Sequence, residues 1–380
     1  MRSMMVAVVL VLALVVGGCG DEPDALQRDV DAIAALGTTG VQARFVDAAT
    51  GADRSRATGR TDTNAAEQVS TEGYFRIGSL TKTMVATVVL QLVGEGRLTL
   101  DDTVQQWIPD VVHGNGNDGS VITVRQLLQH TSGIHESPPE MTTADDYYRL
   151  RYQVRDPRET VASAMRHAPD FAPGAGWSYS NTGYVLSGMI IEQVTDRPWH
   201  DEVRTRILEP LGLRDTHWPG TTPTLPTPHA HGYQQFEADG PLIDVTELVD
   251  ADASVGHIST TADVGAFYRN LLGGKLLRPE ELAQMRTTVP VDGVTGMVWP
   301  GASYGLGLFS VPLTCGGTYW MHNGGQTGFL TNAGVTDDGS RSAVVSLSAT
   351  LAVGEDVARS RGFAQLRAVN ELVDHALCEK

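Results

Sequence analysis

Hydrophobic and polar positions recur at two different periods along this chain, and the period changes near residue 78. Residues 24–36 carry apolar side chains at helical spacing, whereas VQARFVDAAT and SRATGR alternate like two strands joined by a turn. From Ser79 the spacing is helical again until Gly94 and Gly96. These patterns predict an N-terminal helix, a β-hairpin and then an apolar helix.

The strand pattern returns only near the C-terminus. Helical patterns and Pro/Gly loops fill the middle of the chain, and STTADVGAFYRNLLGG predicts a further amphipathic helix. Alternation then reappears in YGLGLFSVPL, TYWMH, TGFLTNAGVT and SAVVSLSAT, before a last helix over residues 357–377. Strands at both ends predict an α/β (α+β) protein whose sheet lobe combines residues 24–78 and about 255–380, with a mostly helical lobe, about 79–254, inserted between them.

The first nineteen residues have the pattern of an export signal. Arg2 precedes thirteen apolar residues, 4–16, and VGGC closes the segment with small residues before Cys19. Thirteen residues are fewer than the ~20 that span a bilayer. VGGC also resembles a bacterial lipobox, so we expect residues 20–380 to be exported and anchored by a lipid on Cys19 to the outer face of the cytoplasmic membrane. Simple cleavage beside an incidental cysteine is the alternative.

The charge balance narrows the range of partners. The chain has 28 Lys and Arg against 45 Asp and Glu, a net charge of −17 at pH 7. Such an acidic protein is a poor match for nucleic acid. Charge does not determine the oligomeric state.

The three cysteines fit an oxidising compartment. If Cys19 carries a lipid, Cys315 and Cys378 remain, and an even pair tends to form a bridge outside the cytoplasm. We therefore expect a disulfide between a strand-like segment and the C-terminal helix. Two unpaired buried thiols are the alternative.

A first candidate for chemistry lies where the period changes. Ser79 and Lys82 are three residues apart, so on a helix they share a face and can touch. The helix N-terminus favours negative charge on the serine oxygen. Ser-x-x-Lys is also common on solvated helices, so the motif alone is weak.

Two further segments carry candidate groups. Tyr179 and Asn181, in GWSYSNTGY, point to one side of an extended backbone, and a nearby lysine ammonium would lower the pKa of the tyrosine so that it could act as a base. YWMHNGGQTGF ends a strand in His322 and glycines, as where a backbone must approach another group closely. A packed loop tyrosine, an asparagine N-cap and a hydrogen-bonded strand histidine are the structural alternatives.

Together, the three pieces resemble the serine β-lactamase and DD-peptidase superfamily, in which Ser-x-x-Lys, Tyr-x-Asn and a Lys- or His-x-Gly strand meet at one site. The resemblance covers nearly the whole chain after the leader and includes LLQHTSGI, GHISTTADVGAFYRNLLGG and YGLGL. It implies an antiparallel sheet flanked by helices, as in class C β-lactamases and penicillin-binding proteins.

The resemblance also implies a mechanism without a metal or an organic cofactor. Ser79 would attack a carbonyl and form an acyl-enzyme. Tyr179, assisted by Lys82, would take the serine proton and pass it to the leaving group, while Asn181 orients Lys82 or the substrate.

The strand motif implies the remaining parts of the site. The family's oxyanion hole would be formed by the main-chain N–H groups of Ser79 and Gly325, with His322 and Gly324 lining the substrate cleft. One such donor contributes ~3 kcal/mol of transition-state stabilisation.

One departure from the family affects substrate choice. Carboxylate-binding members usually place a lysine, or a histidine with threonine neighbours, on this strand, but here Asn323 and Gly325 flank Gly324, and no Lys or Arg occurs between Arg286 and Arg341. His322 could bind a carboxylate only if protonated. The resemblance implies a D-alanyl-D-alanine carboxypeptidase-like, penicillin-interacting hydrolase of small peptides or β-lactams. An esterase, which would need no carboxylate anchor, and a non-catalytic ligand-binding lipoprotein are the alternatives.

Two rival motifs are weaker. GASYG, residues 301–305, matches the Gly-x-Ser-x-Gly elbow of α/β-hydrolases, but strand-like sequence follows Ser303 where that elbow needs a helix. His229 and His231 could begin a zinc site, but HAHGYQQF supplies no further ligand and reads as a loop entering a strand.

Overall fold

The computed structural model describes residues 24–136, 141–291, 293–353 and 356–379. The predicted signal segment, including the lipidation site Cys19, lies outside these residues. None of the helices within these ranges is long and apolar enough to cross a membrane.

Helices occupy both ends and the middle of the chain, and strands cluster towards the termini. The helices are α1 Ala25–Ala35, α2 Thr81–Gly94, α3 Val104–Trp107, α4 Val124–Leu128, α5 Ala144–Leu150, α6 Pro157–Ala164, α7 Asn181–Thr195, α8 Trp199–Val203, α9 Glu209–Leu211, α10 Thr261–Leu272, α11 Pro279–Met285, α12 Gly293–Val298 and α13 Arg361–Cys378. The strands are β1 Gly40–Asp47, β2 Ala52–Gly59, β3 Phe75–Arg76, β4 His113–Gly114, β5 Asn117–Asp118, β6 Tyr233–Gln235, β7 Leu242–Asp244, β8 Ile258–Ser259, β9 Val289–Pro290, β10 Ser303–Tyr304, β11 Phe309–Pro312, β12 Thr318–Gln326, β13 Phe329–Thr336, β14 Arg341–Leu347 and β15 Ala349–Thr350.

An eight-stranded antiparallel sheet joins the two ends of the chain. Its strand order is β2-β1-β14-β13-β12-β11-β10-β9, so the N-terminal hairpin pairs with a strand near the C-terminus. Val41 of β1 lies opposite Leu347 of β14. The predicted fold class, an antiparallel sheet flanked by helices and built from both termini, is confirmed.

The sheet buries both faces. Alternate residues of β14 point to opposite sides, so Ala343 and Val345 pack with α1 and α13, whereas Val344 packs with α10 and the helices of the middle segment. β12 lies against the turn that precedes α2. The catalytic candidates therefore lie where the sheet meets the inserted helices.

Most element boundaries follow the sequence pattern, and the departures have local causes. The helix expected over residues 24–36 is Ala25–Ala35, because the Asp24 side chain accepts from the Gln27 N–H and so caps its start. The last helix was expected from residue 357, but it begins at Arg361 because the Ser360 side chain accepts a hydrogen bond from the Phe363 N–H. YGLGLFSVPL is two short strands, because the chain turns at residues 305–308 between β10 and β11.

The predicted disulfide is present. Cys315, in the turn between β11 and β12, is bonded to Cys378 at the end of α13, and the two Cα atoms are 5.7 Å apart. The bridge fixes the C-terminal helix to the sheet, as the cysteine count predicts.

Candidate active site

Ser79 lies in a short 3₁₀ turn, Gly78–Leu80, immediately before α2. The pattern predicted a helix from Ser79, but α2 itself starts at Thr81. Gly78 has φ +54°, a left-handed conformation that glycine adopts without strain, and a Cβ there would lie 2.9 Å from the carbonyl oxygen of Gly325. The turn therefore brings Ser79 against strand β12 with its oxygen at the N-terminal end of a buried helix.

Lys82 is completely buried and contacts three oxygen atoms. Its Nζ lies 3.1 Å from Ser79 Oγ, 2.6 Å from Asn181 Oδ1 and 2.9 Å from the carbonyl oxygen of Ser254. Asn181 Oδ1 and the Ser254 carbonyl can only accept, so the amine donates to both of them. Lys82 is thus held in one position beside the serine.

Burial also changes the chemistry of this lysine. Desolvation lowers the pKa of Lys82 from 10.5 to about 7, although the carboxylates of Asp252, Glu136 and Asp250 oppose the shift. A large fraction of the protein molecules therefore carries a neutral amine at neutral pH. With two N–H groups donated to carbonyl oxygens, the remaining lone pair of that amine faces Ser79 Oγ.

Tyr179 reaches the same serine from the other side. Its hydroxyl is hydrogen-bonded to the Ser79 side chain, and Lys82 Nζ lies 4.9 Å from the centre of its ring. The expectation that the lysine lowers the pKa of Tyr179 is wrong, because desolvation raises that pKa well above its usual value. Tyr179 is therefore a neutral phenol that can relay a proton, and Lys82 has the pKa suited to a base.

Asn181 connects Lys82 to an acidic residue that the sequence did not reveal. Asn181 is the first residue of α7, and both its backbone N–H and its Nδ2 donate to the Glu136 carboxylate, at 2.7 and 2.8 Å. The Thr182 N–H points to the same carboxylate at 3.4 Å. Glu136 thus caps α7 and fixes the amide so that its oxygen faces Lys82.

The glycines of β12 allow the strand to approach the serine turn. A Cβ on Gly324 would collide with the carbonyl oxygen of Ile77, two residues before Ser79. Gly325 follows and packs against Gly78. The structure therefore brings the Ser79 and Gly325 main chains together, which is the arrangement that the predicted oxyanion hole needs.

His322 does not provide a free group for a substrate. Its side chain is completely buried, with Nδ1 donating to the Asn323 carbonyl oxygen at 2.6 Å and Nε2 accepting from the Tyr304 hydroxyl at 3.2 Å. Burial and the nearby Lys82 lower the pKa of His322 to about 3. The expected role in lining the substrate cleft is corrected: His322 supports the strand as a neutral core histidine.

The rival motifs have structural explanations. Ser303 lies in β10 opposite Ser310, in strand context rather than at a turn into a helix. His231 Nδ1 bonds to Asp244 at 2.7 Å, and His229 Nδ1 bonds to the Pro226 carbonyl oxygen at 2.8 Å, just before β6. Within the described ranges, no group of three or more His, Cys, Asp or Glu side chains has metal-site geometry.

The sequence did not reveal two groups of the site, the Glu136 carboxylate that holds Asn181 and the Ser254 carbonyl that holds Lys82. Glu136 lies two residues after LLQHTSGI, and its acidic side chain was the only feature of the sequence that could have indicated its role. The Ser254 carbonyl carries no side-chain signature, although Asp252 fixes it by accepting from the Ser254 N–H and hydroxyl at 2.7 and 2.6 Å. A main-chain carbonyl that accepts a hydrogen bond from a distant side chain can be identified only from the structure.

The chain is similar to known proteins in both sequence and structure. Residues 31–367 match the sequence model of the family described as Beta-lactamase. The structure is similar to a crystal structure of a D-stereospecific amidohydrolase from Streptomyces sp., with a TM-score of 0.80 and 41% identity, covering 86% of this chain and 95% of that one.

Two curated relatives match part of the chain. Esterase EstB of Burkholderia gladioli is 35% identical over 170 residues, which is 42% of each chain. Penicillin-binding protein 4 of Amycolatopsis lactamdurans is 33% identical over 148 residues, which is 39% of this chain and 37% of the relative. The matched segments thus span about two fifths of these curated proteins.

Proposed function

This chain belongs to the Beta-lactamase family, and from that premise we propose that it hydrolyses small amides of D-amino acids through an acyl-enzyme on Ser79. The observation that carries the proposal is the contact of buried Lys82 with Ser79 Oγ, at 3.1 Å, in a site where three carboxylates act on the lysine. Family members include serine hydrolases that act on several classes of substrate. The proposed substrate class therefore follows from the charges around Ser79.

The proposed acylation uses groups already in contact. The neutral amine of Lys82 takes the proton from Ser79 Oγ as that oxygen bonds to the substrate carbonyl carbon. The negative oxygen of the tetrahedral intermediate is stabilised by the main-chain N–H groups of Ser79 and Gly325. Tyr179 then donates its hydroxyl proton to the leaving nitrogen, recovers a proton from Lys82, and the C–N bond breaks. Water repeats the steps to release the acid.

The charge of the cleft argues for a substrate without a carboxylate beside the scissile bond. The family's anchoring strand has no Lys or Arg here, and His322 is neutral. The carboxylates that act on Lys82 are those of Asp252, Glu136 and Asp250. Such a site repels a terminal carboxylate and attracts a cation such as the α-ammonium of an amino-acid amide. The Streptomyces relative, named as a D-stereospecific amidohydrolase, supports the same class.

Other members of the family supply the alternatives. An esterase would use the same steps with an oxygen leaving group, and its support is the EstB relative. A D-alanyl-D-alanine carboxypeptidase-like, penicillin-interacting activity has the support of the penicillin-binding relative, but it needs an anchor for a free carboxylate. A non-catalytic ligand-binding lipoprotein would have no need of the Lys82 and Tyr179 contacts with Ser79.

We also propose export and a lipid anchor on Cys19. The proposal rests on the apolar leader with its VGGC end, and the disulfide between Cys315 and Cys378 supports an oxidising compartment.

The experiment compares four substrates and two labels on the purified protein. We expect D-phenylalanine amide to be hydrolysed with a kcat/KM at least about tenfold above D-phenylalanine methyl ester, L-phenylalanine amide and N-acetyl-D-alanyl-D-alanine. Intact-mass spectrometry should show one adduct with a phosphonate ester and none in Ser79→Ala.

The outcomes separate the candidates. Preference for the ester would favour the esterase, whereas hydrolysis of the N-acetyl dipeptide with a stable penicillin adduct on Ser79 would favour the carboxypeptidase. Absence of turnover and of labelling would favour the binding protein and contradict the proposal.

A further inference from the structure

His130 lies beside Tyr179 and takes no part in the acylation steps described above. It follows α4 by two residues, is 1% exposed and has φ +61°, a left-handed conformation that is uncommon for residues other than glycine. Backbone strain of this kind persists where the surrounding structure imposes it, and it clusters at functional sites. Both the main chain and the ring of His130 meet one segment, residues 178–180.

Two hydrogen bonds accepted by His130 bracket Tyr179. The Ser178 N–H donates to the His130 carbonyl oxygen at 3.0 Å, and the Ser180 N–H donates to His130 Nδ1 at 3.1 Å. In extended backbone, residues i and i+2 share a side, so one residue can hold both of these N–H groups. Tyr179 thus lies between two main-chain groups that the same histidine fixes.

The ring of His130 also packs against the ring of Tyr179. The two centroids are 4.4 Å apart, and the planes are inclined by 37°. The rings of Tyr304, Tyr184 and Trp177 are also close, with centroids 4.7, 5.4 and 5.8 Å from that of His130. The imidazole is therefore packed among aromatic side chains, with Tyr179 as its nearest ring among these.

The hydrogen bond from Ser180 fixes the position of the proton on the imidazole. Because Nδ1 accepts, the proton of the neutral ring is on Nε2, which has no hydrogen-bond partner among the residues that the structure describes. Burial lowers the pKa of His130 well below 6.5, and the nearby Lys82 acts in the same direction. The acceptor at Nδ1 is therefore present at neutral pH.

The Ser180 N–H needs this acceptor because it is buried at the start of a helix. Ser180 is 2% exposed and is the N-cap of α7, where the helix itself offers no acceptor for the N–H. A buried donor without a partner is unfavourable, so the segment would shift towards another acceptor and would move Tyr179 with it. A displacement of about 1 Å at the reacting groups can lower a rate about 100-fold.

We propose that His130 is the positioning residue for Tyr179: its Nδ1 and its ring hold the phenol where the hydroxyl can donate a proton to the leaving group. The proposal rests on the role of Tyr179 in the acyl-enzyme steps proposed above. His130 should then matter most where the leaving group most needs a proton. An amide nitrogen must be protonated as the C–N bond breaks, whereas 4-nitrophenolate leaves as a stable anion.

The experiment compares D-phenylalanine amide with 4-nitrophenyl acetate, at enzyme concentrations titrated with the phosphonate ester. We measure kcat/KM, which covers the steps up to the acyl-enzyme for both substrates. For His130→Leu, we expect kcat/KM for the amide to fall about 100-fold and that for 4-nitrophenyl acetate to fall less than about threefold. A purely structural loss would lower the two values equally.

Two polar variants test the role of Nδ1. His130→Asn places Oδ1 close to the position of Nδ1 and tolerates a positive φ, so it should keep kcat/KM for the amide within about fivefold of the native value. His130→Gln extends its amide to the Nε2 side of the ring instead, so it should behave like His130→Leu. It also provides the comparison if the leucine variant does not fold.

A double variant tests whether the effect passes through Tyr179. In a Tyr179→Phe background, His130→Leu should lower kcat/KM for the amide less than about threefold further, because the hydroxyl that it positions is already gone. The control for lost packing is Phe45→Leu, a residue that is 2% exposed in β1, three strands away from β12 in the sheet. It should leave the ratio of the two kcat/KM values unchanged.

Three results would overturn the role of His130. They are equal losses for the two substrates in His130→Leu, equal activities of His130→Asn and His130→Gln, and independent losses from His130→Leu and Tyr179→Phe. Each of them would leave the proposed amide hydrolysis intact.

Failure of the proposed function would be seen separately, in the native protein. If that protein hydrolyses D-phenylalanine methyl ester but not the amide, the amidase proposal fails. The methyl ester, whose alkoxide leaving group also needs a proton, then replaces the amide in every comparison. No turnover of any substrate would overturn both proposals.

Discussion

Lys82, beside Ser79, and His257, just before β8, are both buried nitrogen bases, but the two bases are held in opposite ways. Lys82 is completely buried and contacts Ser79, Asn181 and Ser254 at 2.6–3.1 Å. His257 is 1% exposed, and neither ring nitrogen has a partner in the described structure. Burial lowers the pKa of each, to about 7 for Lys82 and about 3 for His257.

The difference shows that burial alone does not determine how a polar side chain is held in position. A buried polar group with all its partners is fixed in position, because every hydrogen bond is strong in a low dielectric. That rigidity suits a base that must face one oxygen atom. A buried group without hydrogen-bond partners, such as the His257 ring, is instead held by packing, here against the ring of Trp199 at a centroid distance of 5.5 Å.

The largest expected effect comes from removing one group of the satisfied network. Tyr179→Phe deletes the hydroxyl that contacts Ser79 while keeping the ring, and we expect kcat for the amide to fall on the order of 10³-fold. Lys82→Met should lower it at least as much. Steady-state kinetics measures both, with Tyr148→Phe, an exposed tyrosine of α5, as the control. Unchanged turnover in Tyr179→Phe would contradict the proton relay.

The next effect is the pH dependence of the reaction. Desolvation lowers the pKa of Lys82 to about 7, so the neutral amine is lost as the pH falls through that value. We expect kcat/KM to level off above about pH 8 and to fall about tenfold per unit well below pH 7. If kcat/KM did not change between about pH 6 and 8, Lys82 would not be the base.

The smallest expected effect is a difference in the free energy of unfolding between variants of Asn181 and His257. Asn181→Leu removes the amide that accepts from Lys82 and donates through Nδ2 to Glu136, so each of these two groups loses one hydrogen bond, and we expect the free energy of unfolding to fall by about 2–3 kcal/mol. His257→Leu removes a ring that has no partner, so we expect a change within about 1 kcal/mol. Urea unfolding of both variants gives the comparison. Equal losses would mean that His257 is paired in solution, for example through ordered water.

The sequence predicted those parts of the fold that depend on local pattern. The hairpin, the apolar helix α2 and the antiparallel sheet built from both termini were recoverable from periodicity together with the family resemblance. The break between β10 and β11 was not, because the chain turns at residues 305–308 within a pattern that still alternates.

In the candidate site, only the residues that belong to sequence motifs could be predicted. Ser79, Lys82, Tyr179 and Asn181 are brought together as the resemblance implies. Glu136 was missed because its contact with Asn181 joins residues 45 positions apart. The pKa of Tyr179 was wrongly expected to fall, and His322 was wrongly placed in the substrate cleft, because the extent of burial depends on tertiary packing.

The pairing of β1 with β14 has a consequence for how the protein is made. Val41 lies opposite Leu347, so the first hairpin finds its neighbour only after nearly the whole chain has been synthesised. A contact that closes so long a loop forms late and slowly. Until then the β1 edge stays open, and a ribosome that stops before β14 releases a chain with an unpaired strand that invites aggregation.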